Sequence, residues 1–93
     1  MDFERLAEIA IRMASKMRIR DELLEEVSER ELEAARRVAE LIREERRGLV
    51  YCGICAKGSF TKRGFYLHLM RVHKEDVKVL LEKELAEAVV VGQ

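Results

Sequence analysis

At 93 residues the chain has room for one small domain, or for a few helices flanking a stapled module, and a large enzyme is excluded. Its residues are 48% hydrophobic and 39% charged, with no Pro, Trp or Asn and Gln only at position 93, which is not the composition of a disordered chain. Fifteen Glu and twelve Arg fit the ion-pair-rich surface of a thermophile's protein. Eighteen basic and eighteen acidic groups balance to zero, so the molecule as a whole is no polycation.

The charge is unevenly distributed. Residues 1–47 carry 11 basic and 13 acidic groups, and residues 74–93 carry 3 and 5. Residues 48–73 carry Lys57, Lys62, Arg63 and Arg71 and no acid at all. No run of 18 apolar residues is present, and Met1-Asp2-Phe3-Glu4 lacks the basic-then-apolar order of a signal peptide, so an intracellular, cytoplasmic protein without a membrane span is expected. Two cysteines three positions apart close no useful structural loop, and they point to metal or redox chemistry in a reducing compartment.

From Asp2 to Arg47 there is neither Gly nor Pro, which predicts a helical N-terminal half. Alternate steps of three and four run through Phe3, Leu6, Ala10, Met13, Met17, Arg20, Leu24, Val27, Glu31, Ala34, Val38, Leu41 and Glu45, ten of the thirteen being apolar. This stripe is compatible with a hairpin of helices or with a coiled coil. Ser28 and Glu31 are spaced as a capping box, and Asp21 is positioned as an N-cap after Arg18-Ile19-Arg20, which predicts helices at 2–18, 21–27 and 29–47. Arg46 and Arg47 suit a helix C-terminus, with Gly48 as the left-handed residue just beyond it. Leu49-Val50-Tyr51 is β-prone, Gly53 allows a tight turn, and residues 56–60 return as a second short strand. Thr61 caps a helix starting at Lys62, and Val77, Leu80, Leu81, Leu85 and Ala88 mark the inner face of a C-terminal helix. The organisation expected is therefore a helical scaffold or dimerisation segment over 1–47, a small module over 48–73 and a helix over 74–93.

Cys52, Cys55, His68 and His73 read C-x2-C, twelve residues, H-x4-H, the spacing of a tetrahedral Cys2His2 site for one structural Zn²⁺. Two thiolates across a tight turn are held at ligand separation by the turn's peptide hydrogen bonds, and two imidazoles on a helix complete the tetrahedron. Two thiolates and two neutral imidazoles neutralise the ion, so the positive charge of the segment survives metal binding. With four protein ligands no position is left for a catalytic water, and enzymatic activity is not expected. A redox CxxC of thioredoxin type would need a strand-and-helix fold that this sequence does not predict.

Residues 49–73 resemble the Cys2His2 zinc-finger family, as a single finger covering about a quarter of the chain. The resemblance implies a ββα module within a mostly α-helical protein. Phe60 and Phe65 stand near the family's two apolar positions, each one place or one residue type away from the usual pattern, and Val50 and Tyr51 precede Cys52. His68 and His73 are five apart, about 140° round an ideal helix, so the helix is expected to tighten or bulge near Met70–Val72. The family's three base-reading positions fall on Thr61, Gly64 and Leu67, none of which offers a bidentate fork to a base edge. What the finger does offer is a basic surface, with Lys57, Lys62, Arg63 and Arg71 for phosphates and Tyr66 for stacking on a base. The function expected is nucleic-acid binding, to DNA or RNA, in transcription regulation or an RNA assembly. The competing expectation is a protein-interaction or homodimerisation module in which the finger is a staple and the helices meet the partner.

Overall fold

The computed structural model describes residues 2–91, with side chains as far as Glu87. Five helices and a three-stranded antiparallel sheet follow in the order α1 (Phe3–Ser15), α2 (Asp21–Leu24), α3 (Glu29–Ile42), β1 (Arg43–Arg46), β2 (Leu49–Cys52), β3 (Gly58–Phe60), α4 (Lys62–Val72) and α5 (Lys74–Val91).

The first helix starts where Asp2 accepts the Arg5 amide and stops where Lys16 turns left-handed (φ 60°), its amide returning to the carbonyls of Arg12 and Met13. It ends three residues before the predicted boundary. Its buried residues, Leu6, Ala7, Ile9, Ala10, Ile11 and Ala14, spread well beyond one stripe because α3, α4 and α5 all pack against it. The small side chains at 7, 10 and 14 let neighbouring backbones approach closely. The N-terminal half is thus a hairpin of helices, α1 against α3, with the apolar faces turned inward. Asp21 is not an N-cap: Arg20 holds that position without a side-chain cap, and α2 is a single turn.

The capping box of α3 forms as the sequence predicts, Ser28 accepting from Glu31 N and Glu31 accepting from Ser28 N. The predicted extension to residue 47 does not form. Residues 43–46 instead pair with β2, Arg43 opposite Cys52 and Arg46 opposite Leu49. Arg47 and Gly48, at φ 54° and 79°, make the tight two-residue connection that a hairpin requires. Gly48 does adopt the left-handed conformation, but in a hairpin and not beyond a helix. Arg43-Glu44-Glu45-Arg46 has poor strand propensity; pairing with the apolar β2 overrides it. The four charges match one another at i, i+2 on the exposed edge, as Arg43–Glu45 (2.9 Å) and Arg46–Glu44 (3.5 Å).

The sheet order is β1-β2-β3, and α4 and α5 complete the core with Phe65, Leu69, Val77, Leu81 and Leu85. Leu80 is partly buried against this core, and Ala88 lies outside the residues whose side chains are described. Helix α5 is tied down by Arg37–Glu84, by Arg30 donating to the Leu85 carbonyl, and by Lys74 and Lys78 on Glu4. No described helix is long and apolar enough to cross a membrane.

Candidate metal centre

Cys52 closes β2 and is fully buried. The turn that follows is set by three backbone hydrogen bonds of 2.8 Å each: the Cys52 amide to the Lys57 carbonyl, the Ala56 amide to the Cys52 carbonyl, and the Gly53 amide to the Ile42 carbonyl at the end of α3. The last of these joins the cysteine turn to the helical core. It also explains the glycine, since a Cβ at position 53 would lie 2.3 Å from the Leu41 carbonyl oxygen. Cys55 stands exposed at the far side of the turn.

The opposite half comes from α4, which Thr61 caps by accepting the Gly64 amide, as the sequence predicts. His68 lies in this helix. The second histidine is reached by ending the helix: α4 stops at Val72, and His73, at φ −118° and ψ 14°, donates its amide to Leu69 while its carbonyl accepts from Val77. The expected tightening near Met70–Val72 is therefore a break at His73 that separates α4 from α5. Phe65 is buried and Phe60 half-buried, and the Phe60 ring stacks on both Phe65 (5.6 Å) and His68 (4.7 Å), so the two aromatic side chains back the histidine.

One ligand atom from each of Cys52, Cys55, His68 and His73 lies within 4.8 Å of every other. Cys55 Sγ and His68 Nε2 are 3.4 Å apart. Zinc bond lengths of about 2.3 Å to sulfur and 2.0–2.1 Å to nitrogen give tetrahedron edges of about 3.3–3.8 Å, so the four atoms need only a small contraction to enclose an ion. The side chains can hold a metal ion, and His73 carries an independent sign of it. Its Nδ1 lies 2.8 Å from Asp76 Oδ2, while its buried Nε2 has no hydrogen-bond partner among the described residues. A carboxylate that accepts Nδ1–H leaves Nε2 with a lone pair, the tautomer and orientation a metal-ligating imidazole needs.

The electrostatics divide the two thiols. Burial pushes the Cys52 thiol above the ordinary range. Desolvation also acts against ionisation of Cys55, but the nearby His73 ring, the Lys57 amide and Cys52 outweigh it and bring that thiol below the ordinary range. Burial, with help from His73 and Lys57, lowers the His68 pKa. At His73 burial acts in the same direction, but Asp76 and Cys55 prevail and raise it.

The basic side chains Lys57, Lys62, Arg63 and Arg71 are exposed. Tyr66 differs from them: it is half-buried, its hydroxyl accepts from Arg12 Nη2 at 3.3 Å, and the Arg12 guanidinium lies 5.0 Å from its ring centre. This side chain joins α4 to α1. Of the three positions that the zinc-finger resemblance aligns with base readers, Thr61 is occupied as a cap, Gly64 has no side chain and Leu67 is half-buried. Sequence reasoning missed Asp76 and the contact of Gly53 with α3. The three-residue spacing from His73 was a signal for Asp76, masked by the ordinary preference for acids in the first turn of a helix.

No family model matches this chain, and neither the curated proteins nor the solved structures include a significant match to it.

Proposed function

We propose that residues 49–73 are a single Cys2His2 zinc finger of ββα type, that its zinc is structural, and that the protein binds nucleic acid through the basic surface of this finger, in transcription regulation or an RNA assembly. The carrying observation is the coincidence of a complete four-ligand cluster with an acid-free segment whose Lys57, Lys62, Arg63 and Arg71 all reach solvent. The bound ion would be held by Cys52, Cys55, His68 and His73, with Asp76 orienting His73. It supplies cross-linking of hairpin to helix; binding to such sites is worth about 10–16 kcal/mol at neutral pH. A closed ligand set favours a non-enzymatic role. Affinity comes from phosphate neutralisation, and the absence of a bidentate reader at 61, 64 and 67 argues against sequence reading by this finger alone.

The test is elemental analysis followed by fluorescence anisotropy of the zinc-loaded protein with duplex DNA and single-stranded RNA. One equivalent of zinc is expected, with binding at low salt that weakens as salt rises and falls further in the Lys62→Ala, Arg63→Ala, Arg71→Ala variant. Flat titrations at low salt refute the reading.

A second reading, a protein-interaction module stapled by the finger, draws on a different observation. Leu41, Ile54 and Val79, exposed by 58%, 37% and 53%, line one groove together with Ile42 and Leu80, beside the cysteine turn. Light scattering that reports a dimer, with no nucleic-acid binding, favours it.

A further inference from the structure

Eight of the eighteen cations have a carboxylate within 4.0 Å among the described residues: Arg5, Arg12, Arg36, Arg37, Arg43, Arg46, Lys74 and Lys78. Lys16 and Lys62 are among the ten without one, and both line one cavity of about 210 Å³ with Arg43, Thr61 and Ser15, over a floor of Val50 and Phe65. The three cations come from separate elements: Lys16 caps the end of α1, Arg43 opens β1 and Lys62 opens α4. Arg43 is fixed, donating 2.6 Å to the Ala14 carbonyl and 2.9 Å to Glu45. Glu45 is thereby engaged, and Lys16 acts on it only at longer range. The two lysines are the cations of the cavity with no carboxylate within 4.0 Å.

The helix dipoles treat the two lysines differently: Lys16, at the C-terminal end of α1, lies with the dipole, and Lys62, in the first turn of α4, lies against it. Helices α1, α3 and α5 begin with acids, whereas the first turn of α4 holds Lys62 and Arg63 and no acid, against the helix dipole. Thr61 adds a directional group: its Oγ1 accepts the Gly64 amide at 3.0 Å, so its hydroxyl hydrogen is free to donate.

We propose that Lys16, Lys62 and Thr61, with Arg43 behind them, form a seat for a single phosphate group. The assignment of that phosphate to a nucleic-acid backbone rests on the reading above; the seat itself does not. In that reading the strand runs from the start of α4 onto the end of α1, so the helical half contributes to the contact surface.

The experiment has two arms on the zinc-loaded full chain. In the first, anisotropy with a duplex DNA and a single-stranded RNA is measured across salt for Lys16→Gln, Lys62→Gln, the double variant and Lys83→Gln, an α5 cation that lines no part of the cavity. Each single variant is expected to weaken binding about 3–10-fold and to lower the salt slope by about one phosphate contact. Because one phosphate is shared, the double variant loses the same single contact, and Lys83→Gln changes nothing. In the second arm, inorganic phosphate is titrated against amide NMR signals, with shifts expected at residues 15–17 and 61–63. An unchanged salt slope in Lys16→Gln, while Lys57→Gln and Arg71→Gln weaken binding, overturns the seat and leaves the nucleic-acid reading standing. A double variant that loses two contacts also overturns the shared seat. Phosphate-dependent shifts without oligonucleotide binding support the seat for a free phosphate compound and refute the nucleic-acid reading; silence in both arms refutes both.

Discussion

Replacing Gly53 with Ala tests the junction between the cysteine turn and the helical core without touching any of the four convergent Cys and His side chains. The added Cβ would lie 2.3 Å from the Leu41 carbonyl oxygen and 3.1 Å from the Cα and carbonyl carbon of Ile42. All three are backbone atoms at the end of a helix, so no side chain can swing aside, and the turn must retreat by most of an ångström. That retreat stretches the 2.8 Å hydrogen bond from the Gly53 amide to the Ile42 carbonyl. Overpacking of a tight contact costs about 1–3 kcal/mol and a lost backbone hydrogen bond about 0.5–1.5 kcal/mol, so a destabilisation of roughly 2–4 kcal/mol is expected. For a domain of this size that lowers the melting temperature by roughly 10–25 °C. Thermal unfolding followed by circular dichroism at fixed excess zinc measures it, and a parallel chelator competition separates folding from metal affinity. A melting temperature within about 2 °C of the parent would refute the argument that the turn is docked on α3.

Asp76→Asn should weaken zinc binding about 10–100-fold, because the His73 ring loses the carboxylate that holds it; competition against a chromophoric chelator reads this directly. Zinc affinity should rise with pH, since both thiols must lose a proton on binding: burial keeps Cys52 protonated to higher pH, Cys55 ionises earlier, and log K should climb with a slope of about two where both thiols are protonated that flattens first as Cys55 titrates. As the pH falls His73, whose pKa Asp76 and Cys55 raise, protonates before His68, whose pKa burial lowers, so the slope steepens toward about three first; a pH-independent affinity would exclude thiolate ligation. Ile42→Ala should cost about 2–5 kcal/mol in denaturant unfolding and Leu41→Ala less than about 0.5 kcal/mol, and comparable values would show that α3 is rotated about its axis. Chelation should erase the amide dispersion of residues 49–73 while the circular dichroism of α1, α3 and α5 largely persists, because those helices bury one another; complete loss of helical signal would make zinc the organiser of the whole fold.

The pair Leu41 and Ile42 also shows where periodicity failed. The three-four stripe ran through Leu41 and Glu45 as if one helix continued to Arg47; Ala34 and Val38 of that stripe are buried, but α3 ends at Ile42 and its buried face turns through Ala35, Ala39 and Ile42 instead of Leu41. A heptad stripe describes a seam between two helices; α1, packed by three helices, buries a far wider arc. Local signals fared better, although Asp21 failed as a cap, because they depend on a few adjacent residues. Ser28 with Glu31, Thr61 with Gly64 and the left-handed Gly48 all formed as their chemistry dictates. What Gly48 joined was not legible, since a helix end followed by a strand and a two-residue hairpin loop both require a left-handed residue, and β2 is the partner that selects between them.

The same division runs through the site. The ligand spacing announced which four side chains converge, because short loops and one helix carry them together. Charge counted by segment was less informative, because it credited all of the uncompensated positive charge to residues 48–73. Lys16 was averaged away within an acidic half, where eleven cations face thirteen acids. Folding undoes that average: Glu4 is drawn to Lys74 and Lys78, Glu45 to Arg43, Glu84 to Arg37, and Lys16 is left beside Lys62 with Arg43 in the same cavity wall. Net charge over a stretch of sequence measures what must be neutralised, whereas the cations that remain available to a phosphate are those the fold leaves without a carboxylate. In the proposed reading the contact surface for an anionic partner extends beyond residues 48–73 onto the end of α1, and a segment comprising residues 48–73 alone should bind nucleic acid more weakly than the whole chain.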